Sequence, residues 1–154
     1  MLLDSELYAN NMATNLIGRA THYKAVTVGN ALGNTEEQAF TYYGNCLKPF
    51  APVHIAGKRD HDGSININWI RRSRLNADWR DNVDVPLGEE SEKYQVDILD
   101  GDKIIRTLEV STPLATYIAA EQMTDFKDIP NTITIKIYQL SALVGRGYPA
   151  IAII

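Results

Sequence analysis

Ile133-Thr134-Ile135-Lys136-Ile137-Tyr138 sets an isoleucine at every second position. Only an extended strand turns alternate side chains to opposite faces; a helix would scatter these isoleucines around its circumference. One face of this strand is therefore a core face and the other meets water. The same period recurs upstream. Ile65, Ile67 and Trp69 point one way and Asn66 and Asn68 the other, while Tyr94, Val96 and Ile98 alternate with Gln95 and Asp97.

The punctuation between these segments is that of short strands. Val53 and Ile55 open a strand that Asp60-His61-Asp62-Gly63 turns back, with Gly63 free to take positive φ. A long polar connection runs from Arg71 to Glu92. Asp100-Gly101 marks a two-residue hairpin. Its partner strand is expected to carry Ile104, Arg106, Leu108 and Val110 on one side and Ile105, Thr107 and Glu109 on the other. Pro113 ends it. Thr116 to Ala119 reads as a short strand, and Glu121 to Phe126 as one helical turn broken by Asp128-Ile129-Pro130-Asn131. Val144-Gly145-Arg146-Gly147 reads as a flexible loop, and Ala150 to Ile154 as a last strand.

Seven strands in about a hundred residues, with a turn about every ten, fit an all-β sandwich whose two sheets cover each other's apolar faces. No Cys…Trp…Cys pattern is present. Trp69 and Tyr94 on the second and third strands fit a fibronectin-III/immunoglobulin-like sandwich held without a disulfide. One departure stands out. Fibronectin-III domains usually begin the sixth strand with an inward tyrosine, and here Ile133 or Ile135 stands in that neighbourhood, with Tyr138 facing out.

Lys48-Pro49-Phe50-Ala51-Pro52 is the boundary, because two prolines favour extended backbone and remove two amide donors. It divides a β-rich N-terminal segment, 1–48, from the sandwich, 49–154. In the first segment His22–Val28 and Glu36–Tyr43 are candidate strands. Two strands alone are marginally stable in water, so this piece is expected to lean on something else.

The whole chain has 154 residues, 45% hydrophobic and 22% charged, which argues against wholesale disorder. A net charge of -4 brings no general attraction to nucleic acid or anionic membranes. One cysteine, Cys46, forms no internal disulfide and reads as a small core filler. No apolar run reaches the ~18 residues of a spanning helix, and the acidic start is too short for a signal peptide. The expected location is the cytoplasm, or a particle assembled there.

Candidate chemistry is sparse. Asp60, His61 and Asp62 could gather around a cation, against the plainer reading of a solvated turn. Arg71, Arg72, Arg74 and Arg80 around Trp79 have the composition of a single-stranded nucleic acid site. The carboxylates that follow, Asp78 to Glu92, favour ion pairing across the loop instead. Adjacent Glu89 and Glu90 point to opposite sides of extended chain and cannot flank one glycosidic bond. His22, His54 and His61 have no partner nucleophile in a recognisable motif, and Gly145-Arg146-Gly147 lacks the lysine and hydroxyl of a phosphate loop. Trp69 is expected in the core. Trp79 lies in a polar loop, where it either anchors the loop on the core or, with Arg80, Arg74 and Tyr148, forms the candidate interface. No catalytic residue, metal or cofactor is expected, and the chain reads as a non-enzyme.

Five strings together carry a family resemblance. They are Phe50-Ala51-Pro52-Val53-His54, Asn68-Trp69-Ile70-Arg71-Arg72-Ser73-Arg74, Val85-Pro86-Leu87-Gly88-Glu89-Glu90-Ser91-Glu92, Arg106-Thr107-Leu108-Glu109-Val110-Ser111 and Gln139-Leu140-Ser141. The set resembles the C-terminal end of the large baseplate hub (megatron) proteins of gene transfer agents, the phage-tail-like particles of alphaproteobacteria. That family carries a glycosidase-like barrel and hub domains upstream, none of it present here, so no catalytic residue transfers. Residues 1–48 would then be the remainder of an upstream hub domain, and the Met1 start either a separately encoded remnant or a cut. The resemblance implies a structural role at the tail tip, with other tail and baseplate proteins as partners and assembly as a symmetric homotrimer. The alternative is a carbohydrate- or receptor-binding module taking a cell-surface glycan, in a loop pocket lined by Trp79, Tyr148 or Tyr43.

Overall fold

In the computed structural model Ile65, Ile67 and Trp69 face Tyr94, Val96, Ile98, Ile133, Ile135 and Ile137 across a dry interior, each no more than 3% exposed. The structure describes residues 11–75 and 84–154. The chain falls into two compact units, Met1–Cys46 and Leu47–Ile154.

In the first unit β1 (Ala20–Tyr23) pairs antiparallel with β2 (Gln38–Thr41), Ala20 opposite Thr41. Both strands are shorter than the His22–Val28 and Glu36–Tyr43 expected from sequence. Among the described residues of this unit only Gly44 is buried, so no apolar face rewards longer pairing.

The second unit is the sandwich. One sheet has the order β3 (Val53–Arg59), β4 (Ile65–Ile70), β7 (Leu114–Tyr117). The other has the order β10 (Ala150–Ile153), β8 (Thr134–Ser141), β5 (Tyr94–Asp100), β6 (Lys103–Val110), and the two-residue β9 (Gly145–Arg146) pairs with the end of β8. Every strand pairing described in this unit is antiparallel. Three strands against four, with the first strand beside the second and the last beside the sixth long one, is the arrangement of a fibronectin-III domain. Trp69 meets Tyr94 edge to face, with ring centroids 5.1 Å apart. Ile133 and Ile135 are buried where fibronectin-III domains usually place tyrosine, and Tyr138 faces outward.

Several expected details are corrected. A bulge between Ile98 and Leu99 lets Ile98 pair with Arg106 and Leu99 with Ile104, which leaves Ile105 as the extra residue. The bulge reverses parity, so Ile105 packs on the core and Ile104 is 46% exposed, the opposite of the simple alternation. The hairpin turn itself is Gly101-Asp102, with Gly101 at φ 59° and Asp100 paired to Lys103. The fifth strand covers Leu114–Tyr117 rather than Thr116–Ala119, because Ala119 already belongs to α1 (Ala119–Phe126). That helix has two turns, not one, and ends where Lys127 takes φ 64° and its N–H returns to Met123 O. Gln122, fully buried, pins it: the side-chain amide donates to Gly63 O and Tyr117 O and accepts from Arg59. Finally, Gly145–Arg146 is a strand, not a flexible loop.

Candidate functional site

The described parts of the long connection, 71–75 and 84–92, contain no strand or helix, so side chains hold them in place. Arg71 supplies part of it. Its guanidinium meets Asp84 at 2.5 Å, donates to Val85 O at 2.8 Å and lies 3.6 Å from Glu92. Glu92 in turn accepts the Tyr94 hydroxyl at 2.7 Å. Burial, then that hydrogen bond, pushes the Tyr94 phenol above its ordinary value. Arg74 donates to Glu89, whose side chain is only 5% exposed. Arg72 lies over the Phe50 ring, 5.0 Å from its centroid. The ion pairing expected across this loop is thus present around Arg71 and Arg74.

Three shallow grooves adjoin this end of the sandwich. One of 260 Å³ lies between Lys93, Tyr94, Glu109, Ser111 and Leu140. A second of 450 Å³ shares Lys93 and Leu140 with it and adds Glu90, Ser91 and Ser141. A third, of 280 Å³, lies between Arg74, Gly88, Glu89, Ser141 and Leu143. Hydroxyls, three glutamates and an ammonium can hydrogen-bond a polar surface or an exposed peptide edge.

The four residues expected to form an interface separate as follows. Trp79 and Arg80 lie outside the described residues. Arg74 lines the third groove while paired with Glu89. Tyr148 is 43% exposed on the approach to β10; its N–H bonds Pro49 O and Lys48 lies over its ring at 5.8 Å. Tyr43, in the first unit, is 64% exposed.

The turn that could have gathered a cation is engaged internally. Asp62 accepts from the Ser64 N–H and hydroxyl, which hold its carboxyl below the ordinary value, and Asp60 accepts from Asn66. Among the described residues no group of His, Cys, Asp and Glu is placed to hold a metal. Cys46 is exposed, its thiol 3.1 Å from the Tyr42 hydroxyl, so it is not the core filler expected from sequence. No helix among the described residues is long and apolar enough to cross a membrane.

Two polar clusters escape sequence reading. On the outer face of the larger sheet Asp97 is fully buried, although its parity faces water. Arg146 covers it with two hydrogen bonds, 2.7 and 2.9 Å, while its Nε donates to Gln95 at 2.6 Å and its guanidinium stacks 4.4 Å over Tyr138. Thr107 adds a 2.6 Å hydrogen bond to Asp97. The second cluster ties α1 down: Arg106 binds Asp125 through two nitrogens and Glu121 through a third, and Tyr117 donates to Asp125. Each joins segments far apart in sequence, and no local motif announces either. The glycines flanking Arg146 were the one available signal.

No family model matches the chain, and no curated protein matches it. Among solved structures it is similar over 100% of its length to 72% of a rat CD45 extracellular-region structure, domains d3–d4, at 14% identity and a TM-score of 0.51. It is also similar over 69% of its length to 94% of the FN5 domain of Drosophila Lar, at 14% identity and a TM-score of 0.40. At such identity a likeness speaks for architecture alone, and that architecture is an all-β sandwich of the fibronectin-III type.

Proposed function

We propose that this chain is a structural module of a phage-tail-like particle, at the baseplate or tail tip of a gene transfer agent, acting in assembly or host contact. One observation carries the reading. The five strings that resemble the hub proteins are scattered in sequence, yet they meet at one end of the sandwich. Phe50 lies under Arg72. Arg71 and Arg74 bind Val85 and Glu89. Ser141 shares a groove with Glu89, and Leu140 shares another with Val110 and Ser111. Trp69, Leu108 and Val110 of these strings pack in or on the core, but the residues just named gather on a polar, grooved end, and that gathering favours a surface that recognises something. Other tail and baseplate proteins are the proposed partners, a homotrimer the proposed assembly, and the cytoplasm the site of production before assembly.

The test is placement. Epitope-tagged chain produced alongside such particles should co-purify with them and carry gold label to the tail tip. Label found only on free protein overturns the reading. The grooves lined by Ser111, Ser141, Glu90 and Lys93 favour a second reading, a carbohydrate- or receptor-binding module. A glycan array showing binding that Ser141→Arg abolishes would favour this second reading.

A further inference from the structure

Two sheets leave four edge strands, and natural sheets guard such edges with charge, proline, bulges or shortness. Two of the four are guarded here by charge and irregularity. β6 carries Lys103, Glu109 and the bulge at Ile105. β3 carries Lys58, Arg59 and a register shift between Val53 and Ala56, where His54 stands at φ 53°. β7 and β10 are each only four residues long and hold no charge or proline. β10, Ala150-Ile151-Ala152-Ile153, differs in turning two exposed isoleucines outward.

The ladder to β8 shows which backbone groups this edge leaves over. Ile133 and Ile154 exchange both hydrogen bonds, 2.8 and 3.0 Å. In an antiparallel pair such exchanges alternate, so with Ala152 opposite Ile135 and Ala150 opposite Ile137, those residues turn their amides toward β8. The N–H and C=O of Ile151 and Ile153 therefore point away from the sheet. Their side chains are 61% and 72% exposed on its outer face, and a 370 Å³ groove runs between β10 and residues 51–55.

We infer that β10 pairs with β10 of a second copy, antiparallel, about a twofold axis at Ala152. The register is set by the leftover groups: Ile151 faces the partner copy's Ile153 and the reverse, so all four outward N–H groups meet all four outward C=O groups. The pairing joins the two larger sheets into one continuous sheet. It also brings four isoleucine side chains together on a single face, covering the most exposed apolar surface of the strand. The second copy is favoured as occupant because the alternating Ala-Ile run is its own complement and repels no identical strand. The contact is small, so the dimer is expected to be concentration-dependent.

Molar mass by sedimentation equilibrium over a dilution series tests this independently of any role in a particle. The Ile151→Lys/Ile153→Lys variant changes only outward side chains, and Ile153→Pro removes one outward amide while leaving the β8 ladder intact. Halving of the concentrated wild-type mass by both, with native thermal melts, supports the pairing, whether the wild type is a dimer or a trimer doubled. A mass that neither variant changes overturns it, including a monomer at every concentration or a trimer throughout. Should Ile153→Pro fail to fold, the lysine variant decides.

Discussion

The two units of this chain use the same local grammar and reach different outcomes. In the sandwich, alternating apolar residues meet a second sheet and vanish from solvent, as with Ile67, Val96 and Ile137 at 0% exposure. In the first unit β1 and β2 pair in register, but Phe40 remains 54% and Leu32 62% exposed. Hydrogen-bonded strands alone do not make a core; a second apolar layer does, because burial and not pairing supplies most of the free energy.

The sharpest way to break this contrast is a pair of truncations. Trp69→Ala should cost about 3–5 kcal/mol, as large-to-small changes in a packed core do. Phe40→Ala should stay within about 0.5 kcal/mol. Thermal melts giving equal losses would show that both units are cored alike.

Next in size is the outer clamp. Arg146→Ala strands Asp97 beneath the surface with only Thr107 as a side-chain partner, and should cost about 2–3 kcal/mol. Adding Asp97→Asn should recover part of that loss, because no charge is then left buried; urea titrations of the double-mutant cycle measure the coupling. Additive losses would mean that the two side chains act separately.

The Arg106 cluster offers a smaller, pH-dependent effect. The Arg106 hydrogen bond, with help from Tyr117, holds the Asp125 carboxyl below its ordinary value. A carboxyl depressed in the folded state stabilises above the unfolded value near about pH 4 and loses that contribution as pH falls through the folded value. The difference in urea midpoint between wild type and Asp125→Asn should therefore be constant from neutral pH to about 4 and close below it. A gap unchanged into strong acid would contradict this sign.

Least should come from Asp84→Ala. Asp84 is 83% exposed, and its pair with Arg71 should contribute no more than about 1 kcal/mol by melting temperature. A larger loss would mean that the connection supports the core instead of resting on it.

How much was legible follows from range. Ile65–Trp69 and Ile133–Ile137 declare their strands because period two is a property of consecutive residues, and Asp60–Gly63 declares its turn because Gly63 tolerates φ 87°. Simple alternation puts Ile104 and Ile105 on the wrong faces because a bulge depends on the partner strand, which a single segment does not reveal. Arg146 reads as loop because its partners Asp97 and Gln95 lie on β5, about fifty positions back along the chain. Cys46 reads as core for the matching reason: exposure depends on what packs nearby, not on the thiol's own chemistry.

Sequence by itself therefore determined the long strands, most of their inward residues and the sandwich, because alternation and turn chemistry are local and a doubled apolar face admits few solutions. Tertiary structure alone decided which polar groups are buried, where the five strings meet and which edge presents two exposed isoleucines. Those are relations between distant segments, created only when the sheets close on one another.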